Sequence, residues 1–294
     1  MTRRELLLLA AVPCGAQFTS SVRVVNVFVT VRDKKAQLVR GLKREDFTLR
    51  EDGRTQAIRY FSADSNLPLT VGLLFDVSGS QRRVLEQQKG AAKAFLTKLL
   101  RAGDTAFFAA FDREVTLLDS GGLDSGGFEV LTTDRKSSQG TALFDALLRS
   151  AERLQSEHGR KALIVLSDGI DTASSTRADA AITALQRADA LVYPVHFYDR
   201  DVFAFEVASP ALDNLRAGKR MLERIAKETG GTFYEVSGER TLDDSLMRIQ
   251  EELRFQYSLG YSPSAGRAGY RKLRVQMKLR GLEAQARDGY FAAE

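Results

Sequence analysis

"VGLLFDVSGSQ" (residues 71–81) runs from an unbroken apolar stretch straight into an aspartate and two alternating serines. A short continuous apolar run suits a strand buried on both faces. Past its end stand Asp76, Ser78 and Ser80, three oxygen side chains within five positions. Such a group can form a turn, cap a helix, activate a nucleophile or hold a metal. The flanking sequence decides among these.

Working outward, strands and helices alternate. Leu69 to Phe75 reads as the buried strand. Gln81 to Leu100 has helical spacing through Val84, Ala91, Ala92, Phe95, Leu96 and Leu99. "TAFFAAFDREVTLLD" (105–119) reads as two strands hinged at Asp112 and Arg113. A helix follows from Ala142 to about Gln155, then the strand "KALIVLS" (161–167), a helix over Ala178 to Ala188, and the strand "LVYPVHF" (191–197). A helix over Leu215 to Glu228, the short strand "TFYEV" (232–236) and a helix over Leu242 to Leu253 complete the series. Buried strands separated by helices predict an α/β fold, a doubly wound, mostly parallel, Rossmann-like sheet.

The two ends follow a different pattern. In "VVNVFVTVRD" (24–33), Val25, Val27, Val29 and Val31 alternate with Asn26, Phe28, Thr30 and Arg32, the mark of a half-buried strand. "FTLREDGRTQAIRYF" (47–61) adds two strands around the turn pair Asp52-Gly53. Near the carboxyl terminus, Leu273, Val275, Met277 and Leu279 alternate with Arg274, Gln276, Lys278 and Arg280, and a second run spans Leu282 to Arg287. Neither end has enough strands to bury a core alone. The expectation is one small β-sandwich built from both, with segments 20–66 and 254–294 flanking an α/β domain over 67–253.

At 294 residues, 44% apolar and 28% charged, the composition is that of a globular protein. The net charge of +5 is spread over 43 basic and 38 acidic residues, without the basic patch and interleaved aromatics of a nucleic-acid binder. The start, "MTRRELLLLAAVPCGAQ" (1–17), has Arg3 and Arg4, an apolar run from Leu6 to Val12 and a small residue at Ala16. This is the pattern of a secretory signal over 1–16. The run falls short of the ~20 residues a membrane span needs. Cys14, the single cysteine, lies inside this segment behind Pro13, an unfavourable neighbour for lipidation. The expected location is therefore secreted, periplasmic or on the cell envelope, without disulfides.

In a doubly wound sheet, ligands gather at the carboxyl ends of the strands where the winding reverses. Asp76, Ser78 and Ser80 lie at one such end. "SSQGTALFDAL" (137–147) sets Thr141 at the mouth of a helix, and "ALIVLSDGIDT" (162–172) sets Asp168 just past a buried strand. Each has a plain local reading, an Asx-turn, an N-cap or a turn residue before Gly169. Together they offer two carboxylates and three hydroxyls, a hard-oxygen set suited to Mg²⁺.

At these residues the chain resembles the von Willebrand factor type A domain. "DVSGS" (76–80) is similar to its D-x-S-x-S motif, "GT" (140–141) to its threonine loop and "SDG" (167–169) to its aspartate loop. The resemblance implies a metal-ion-dependent adhesion site, with Ser78, Ser80 and Thr141 ligating the ion and Asp76 and Asp168 ligating directly or through water. Mg²⁺ is the implied ion, with Mn²⁺ or Ca²⁺ as alternatives, and the implied partner is a protein offering Glu or Asp to the metal. Asp171 reads as a surface or capping residue rather than a ligand. The flanking β segments resemble those of bacterial exported proteins related to this family.

The rival readings are a metal-dependent hydrolase or phosphatase at the same loops, and a scaffold without metal. Residue 76 is Asp where a G-x-S-x-G elbow needs Gly, and residue 78 is Ser where an aspartyl phosphatase carries its second acid. Of the two histidines, His158 reads as solvated and His196 as structural. These departures favour the non-enzymatic reading.

Overall fold

A computed structural model describes residues 24–63, 67–81, 83–119, 140–198, 210–237, 239–263 and 268–292. The expected signal segment and Cys14 lie outside them.

The strand that opened the reading is β5 (Leu69–Asp76), buried at all eight positions. It pairs in parallel with β6 (Thr105–Phe111) on one side and β8 (Arg160–Ser167) on the other. β9 (Ala190–His196) and β10 (Tyr234–Glu235) extend the parallel run, and β7 (Val115–Asp119) closes the other edge antiparallel to β6. The order is β10-β9-β8-β5-β6-β7. From β5 the chain moves outward to β6 and β7, then returns across β5 to β8. The winding reverses at β5, so its carboxyl end opens a crevice.

Helices cover both faces. α1 (Leu85–Leu99) and α5 (Leu242–Arg254) share one apolar cluster with Leu73, Phe75, Ile164 and Tyr193. α2 (Leu143–Gln155), α3 (Ala178–Ala188) and α4 (Pro210–Thr229) share the other with Leu74, Phe107, Leu163 and Val192. In α2 the buried residues Leu143, Ala146, Leu147, Ser150, Ala151 and Leu154 fall at helical spacing on one stripe. Each fully buried leucine contributes roughly 1.5–3 kcal/mol. Gly72 lies at the centre of β5 because Phe107 fills the space beside it: a Cβ there would meet the Phe107 ring at 2.4 Å.

The chain ends interleave in two four-stranded sheets. In one, β1 (Val25–Arg32) lies between β11 (Tyr257–Tyr261) and β13 (Glu283–Gln285), with β4 (Tyr60–Ser62) beyond β11. In the other, β12 (Gly269–Met277) pairs with β2 (Phe47–Glu51) and β14 (Gly289–Ala292), and β2 pairs with β3 (Arg54–Gln56). Val25, Val27, Val29 and Val31 meet Phe47, Leu49, Tyr257, Leu259 and Tyr261 in one shared cluster. The Asp52-Gly53 pair forms the β2–β3 turn with positive φ at both residues, 47° and 80°, as a tight hairpin turn requires.

Three expectations change. β1 is not half-buried: Phe28 and Thr30, placed on a solvated face, are 6% and 3% exposed, and Phe28 joins the α/β cluster. The second face of β1 docks on the α/β domain, where Arg32 pairs with buried Glu252. Leu279, expected on the apolar face, lies beyond the end of β12 and is 47% exposed. α4 begins five residues before Leu215, at Pro210, because proline is well suited to the first turn of a helix.

Candidate functional site

Register brings the site together. Phe75 lies opposite Leu166 in the β5–β8 ladder, so the next positions, Asp76 and Ser167, are neighbours at the carboxyl edge. Ser167 donates its hydroxyl to Asp76 Oδ2 at 2.7 Å, and the Ser78 amide donates to Asp76 Oδ1 at 3.0 Å. The Ser78 and Ser80 hydroxyls lie 3.2 Å apart, and Ser80 donates to Asp168 Oδ2 at 2.9 Å. The Ile170 amide holds Asp168 Oδ1 at 3.0 Å. Asp76, Ser78, Ser80 and Asp168 therefore form one connected network.

Thr141 stands in the adjoining loop. Its amide donates to the Thr172 hydroxyl at 3.0 Å, and its carbonyl accepts from the Thr172 and Ala173 amides. These bonds tie it to the segment that follows Asp168, and among the described residues no hydrogen bond joins it to the other four. Asp171 caps α2 as expected, accepting from the Phe144 amide at 3.1 Å and from the Ser174 hydroxyl.

Both carboxylates are buried, Asp76 completely. Burial pushes Asp76 up to about 7, and the charge of Asp168 pushes in the same direction. Two like charges held in a desolvated crevice are costly unless a cation or a proton intervenes. The hydroxyls of Ser80 and Ser167 and the Gln81 amide offer hydrogen bonds to these oxygens, which offset part of that cost.

The donor set fits a hard divalent cation: two carboxylates and three hydroxyls, all oxygen, at the reversal point of the sheet. Among the described residues no group of three or more His, Cys, Asp or Glu side chains could hold a metal. This site is poorer in carboxylate than that.

Sequence reasoning missed three supports. Ser167 ends the strand and opens "SDG" in the sequence reading with no role of its own, yet it accepts from the Gly169 amide at 3.0 Å and donates to Asp76. Gln81 was read as a helix start; it is buried beneath the site, with its amide 3.4 Å from Asp168 Oδ2, and it accepts from Gln88. Gly169 packs against Gly218 of α4 so tightly that a Cβ would lie 2.5 Å from the Gly218 carbonyl oxygen. Gly169 also has φ +80°, so its lack of a side chain is needed twice.

His196 ends β9, buried among Glu235, Tyr198 and Phe233. Its Nδ1 lies 3.5 Å from Glu235 Oε1, and neither ring nitrogen forms a hydrogen bond. Burial lowers its pKa, against the pull of Glu235. Among the described residues no serine is hydrogen-bonded to it. His158 is exposed, as expected.

No family model matches the chain, and no curated protein matches it. Solved structures similar to it include an aerotolerance-related membrane protein from Bacteroides fragilis, at 18% identity, covering 63% of this chain and 98% of that one with a TM-score of 0.46. They also include the VWA domain of SpRpn10, at 12% identity, covering 62% of this chain and 94% of that one with a TM-score of 0.43. A manganese-loaded TRAP protein from Plasmodium vivax is similar at 11% identity, covering 79% of this chain and 98% of that one with a TM-score of 0.45. Likeness this distant assigns no function to the chain.

Proposed function

We propose that the chain is an exported, non-enzymatic adhesion or protein-interaction module, in which a von Willebrand A-type domain over 67–253 is carried on a small β-sandwich made by 20–66 and 254–294. Its working site is the carboxyl edge of β5 and β8. Asp76, Ser78, Ser80, Thr141 and Asp168 would hold a divalent cation there, Mg²⁺ by preference and Mn²⁺ or Ca²⁺ as substitutes. When bound, the ion supplies an electrophilic position to which a partner's Glu or Asp oxygen coordinates. The protein's own part is to hold two buried carboxylates facing each other and to surround them with neutral hydroxyls.

One observation carries this reading. Two carboxylates from separate loops, fully or almost fully buried, are joined by neutral groups, from Asp76 through the Ser78 amide and the Ser78 and Ser80 hydroxyls to Asp168. A turn or cap needs one such carboxylate, not two held together. A nucleophilic hydrolase at the same loops needs a serine paired with a base, and among the described residues no hydrogen bond joins Ser78 or Ser80 to His196, whose Nδ1 lies 3.5 Å from Glu235.

The test is partner capture from an extracellular or envelope fraction, run with Mg²⁺ and with EDTA. The reading expects capture only with the ion, and loss of capture in Asp76→Ala and Thr141→Ala at unchanged fold. Capture that persists in EDTA, with both variants fully competent, would reduce "DVSGS" to a turn.

A further inference from the structure

At the opposite edge of the sheet, where β5 and β8 begin, lies a cavity of about 110 Å³. Arg101, Arg160 and Arg254 line it with Leu69, Leu99 and Asp104. β8 carries Arg160 at its first position and Ser167 at its last. At ~3.3 Å per residue the two edges are about 23 Å apart. The cavity is a separate site from the one above.

Three arginines around so small a cavity need an account. Arg254 donates to the carbonyls of Lys98 and Leu99 at the end of α1, and Arg160 Nη1 donates to the Leu253 carbonyl near the end of α5. Those bonds cap helix ends and occupy one nitrogen of each arginine. Arg160 as a whole is only 6% exposed, yet its Nε is buried with no hydrogen bond. Asp104 is the one acid among the lining residues, and both its oxygens are taken by backbone amides, those of Leu69 and Arg101, each at 2.9 Å. Among the described residues no ion pair joins Arg101, Arg160 or Arg254 to an acid.

A buried guanidinium cannot escape its cost by releasing a proton. Burial lowers the Arg160 pKa, the attraction of nearby Asp104 opposes that in part, and the charge of Arg101 adds a smaller lowering. What remains is a fixed positive charge, an unfilled donor and a space wide enough for one small ion. Guanidinium forks match the oxygens of phosphate-like anions with two parallel bonds.

We infer that this cavity is a binding site for a small tetrahedral oxyanion of the phosphate or sulfate class, held by Arg160 from below and by Arg101 and Arg254 at its mouth. The occupant balances the Arg160 charge and ties the first residues of β5 and β8 to the ends of α1 and α5. It acts independently of the divalent-cation site.

The test is thermal unfolding and calorimetric titration of the full chain with sodium phosphate, with sodium sulfate and acetate arms at matched ionic strength. EDTA is present throughout, so that phosphate cannot act through a metal. Phosphate or sulfate should raise the midpoint saturably, acetate should not, and Arg101→Gln should weaken the anion at least ten-fold. Arg160→Gln is expected to cost stability of its own, so the exposed Arg101 carries the test and Lys278→Gln is the control. No saturable effect of phosphate or sulfate, an equal effect of acetate, or undiminished binding by Arg101→Gln overturns the inference.

Discussion

Ser167 donates its hydroxyl to Asp76 at 2.7 Å, across the junction of the two central strands. The bond fixes one oxygen of the most deeply buried carboxylate in the site while leaving Asp76 Oδ1 to the Ser78 amide. Ser167→Ala leaves a buried acceptor short of a partner, a loss of about 1–3 kcal/mol. Urea unfolding should show that loss, and Mg²⁺ titration should show weaker stabilisation although Ser167 is no proposed ligand. An unchanged midpoint would mean that the bond is incidental.

The second prediction concerns pH in the absence of metal. Burial and Asp168 raise Asp76 to about 7 in the folded chain, against about 3.9 when unfolded. The folded state thus holds the proton more tightly. The stability contributed by protonated Asp76 is complete below about pH 4 and is lost as pH rises through about 7. In EDTA the wild type should weaken across that window, and Asp76→Asn should flatten the slope and unfold later at pH 8. A flat wild-type profile would show that the carboxylates do not repel.

Saturating Mg²⁺ should raise the wild-type unfolding midpoint, by about 2.7 kcal/mol when the ion is at a hundred times its dissociation constant. Thr141→Ala and Asp76→Ala should lose most of that gain. Ser174 lies outside the proposed ligand set but is not free of structural work. Its hydroxyl accepts from the Asp145 amide at 3.1 Å and donates to Asp171, capping α2 beside Thr141. Ser174→Ala should cost about 1 kcal/mol, equally with and without the ion. A Ser174 effect that depends on Mg²⁺ would enlarge the proposed shell.

Deleting residues 257–294 removes β11 to β14, and with them Tyr257, Leu259 and Tyr261 from the cluster around Val27, Val29 and Val31. Those valines are almost wholly buried, so the truncated chain should aggregate and expose apolar surface to dye. A monomeric truncation of equal stability would show that the ends are independent.

The α/β region was legible because its signals are local. α3 lies at the residues expected, Ala178–Ala188, and β5 and β8 read directly from unbroken apolar runs. What escaped depends on distant partners. β4 is three residues long and pairs only with β11, far along the chain. Phe28 alternates as a solvent-facing residue would, and its burial comes from a domain more than forty residues away. The same division holds at the site. Asp76, Ser78 and Ser80 stand out as a motif, whereas Ser167 and Gln81 matter only because strand register and a helix turn bring them under it.

The interleaved chain ends also set an order of events during synthesis. Arg32 in β1 bonds to Gln285 in β13, 253 residues later in the chain. At ~5–20 residues per second, β1 leaves the ribosome roughly 13–50 s before its second neighbour exists. Until β11 emerges, the backbone edges of β1 lack the strands they pair with, although Phe47 and Leu49 of β2 can already meet its valine face. Under the export proposed above, this delay would leave β1 open during transport, and residues 257–292 would complete its sheet afterwards.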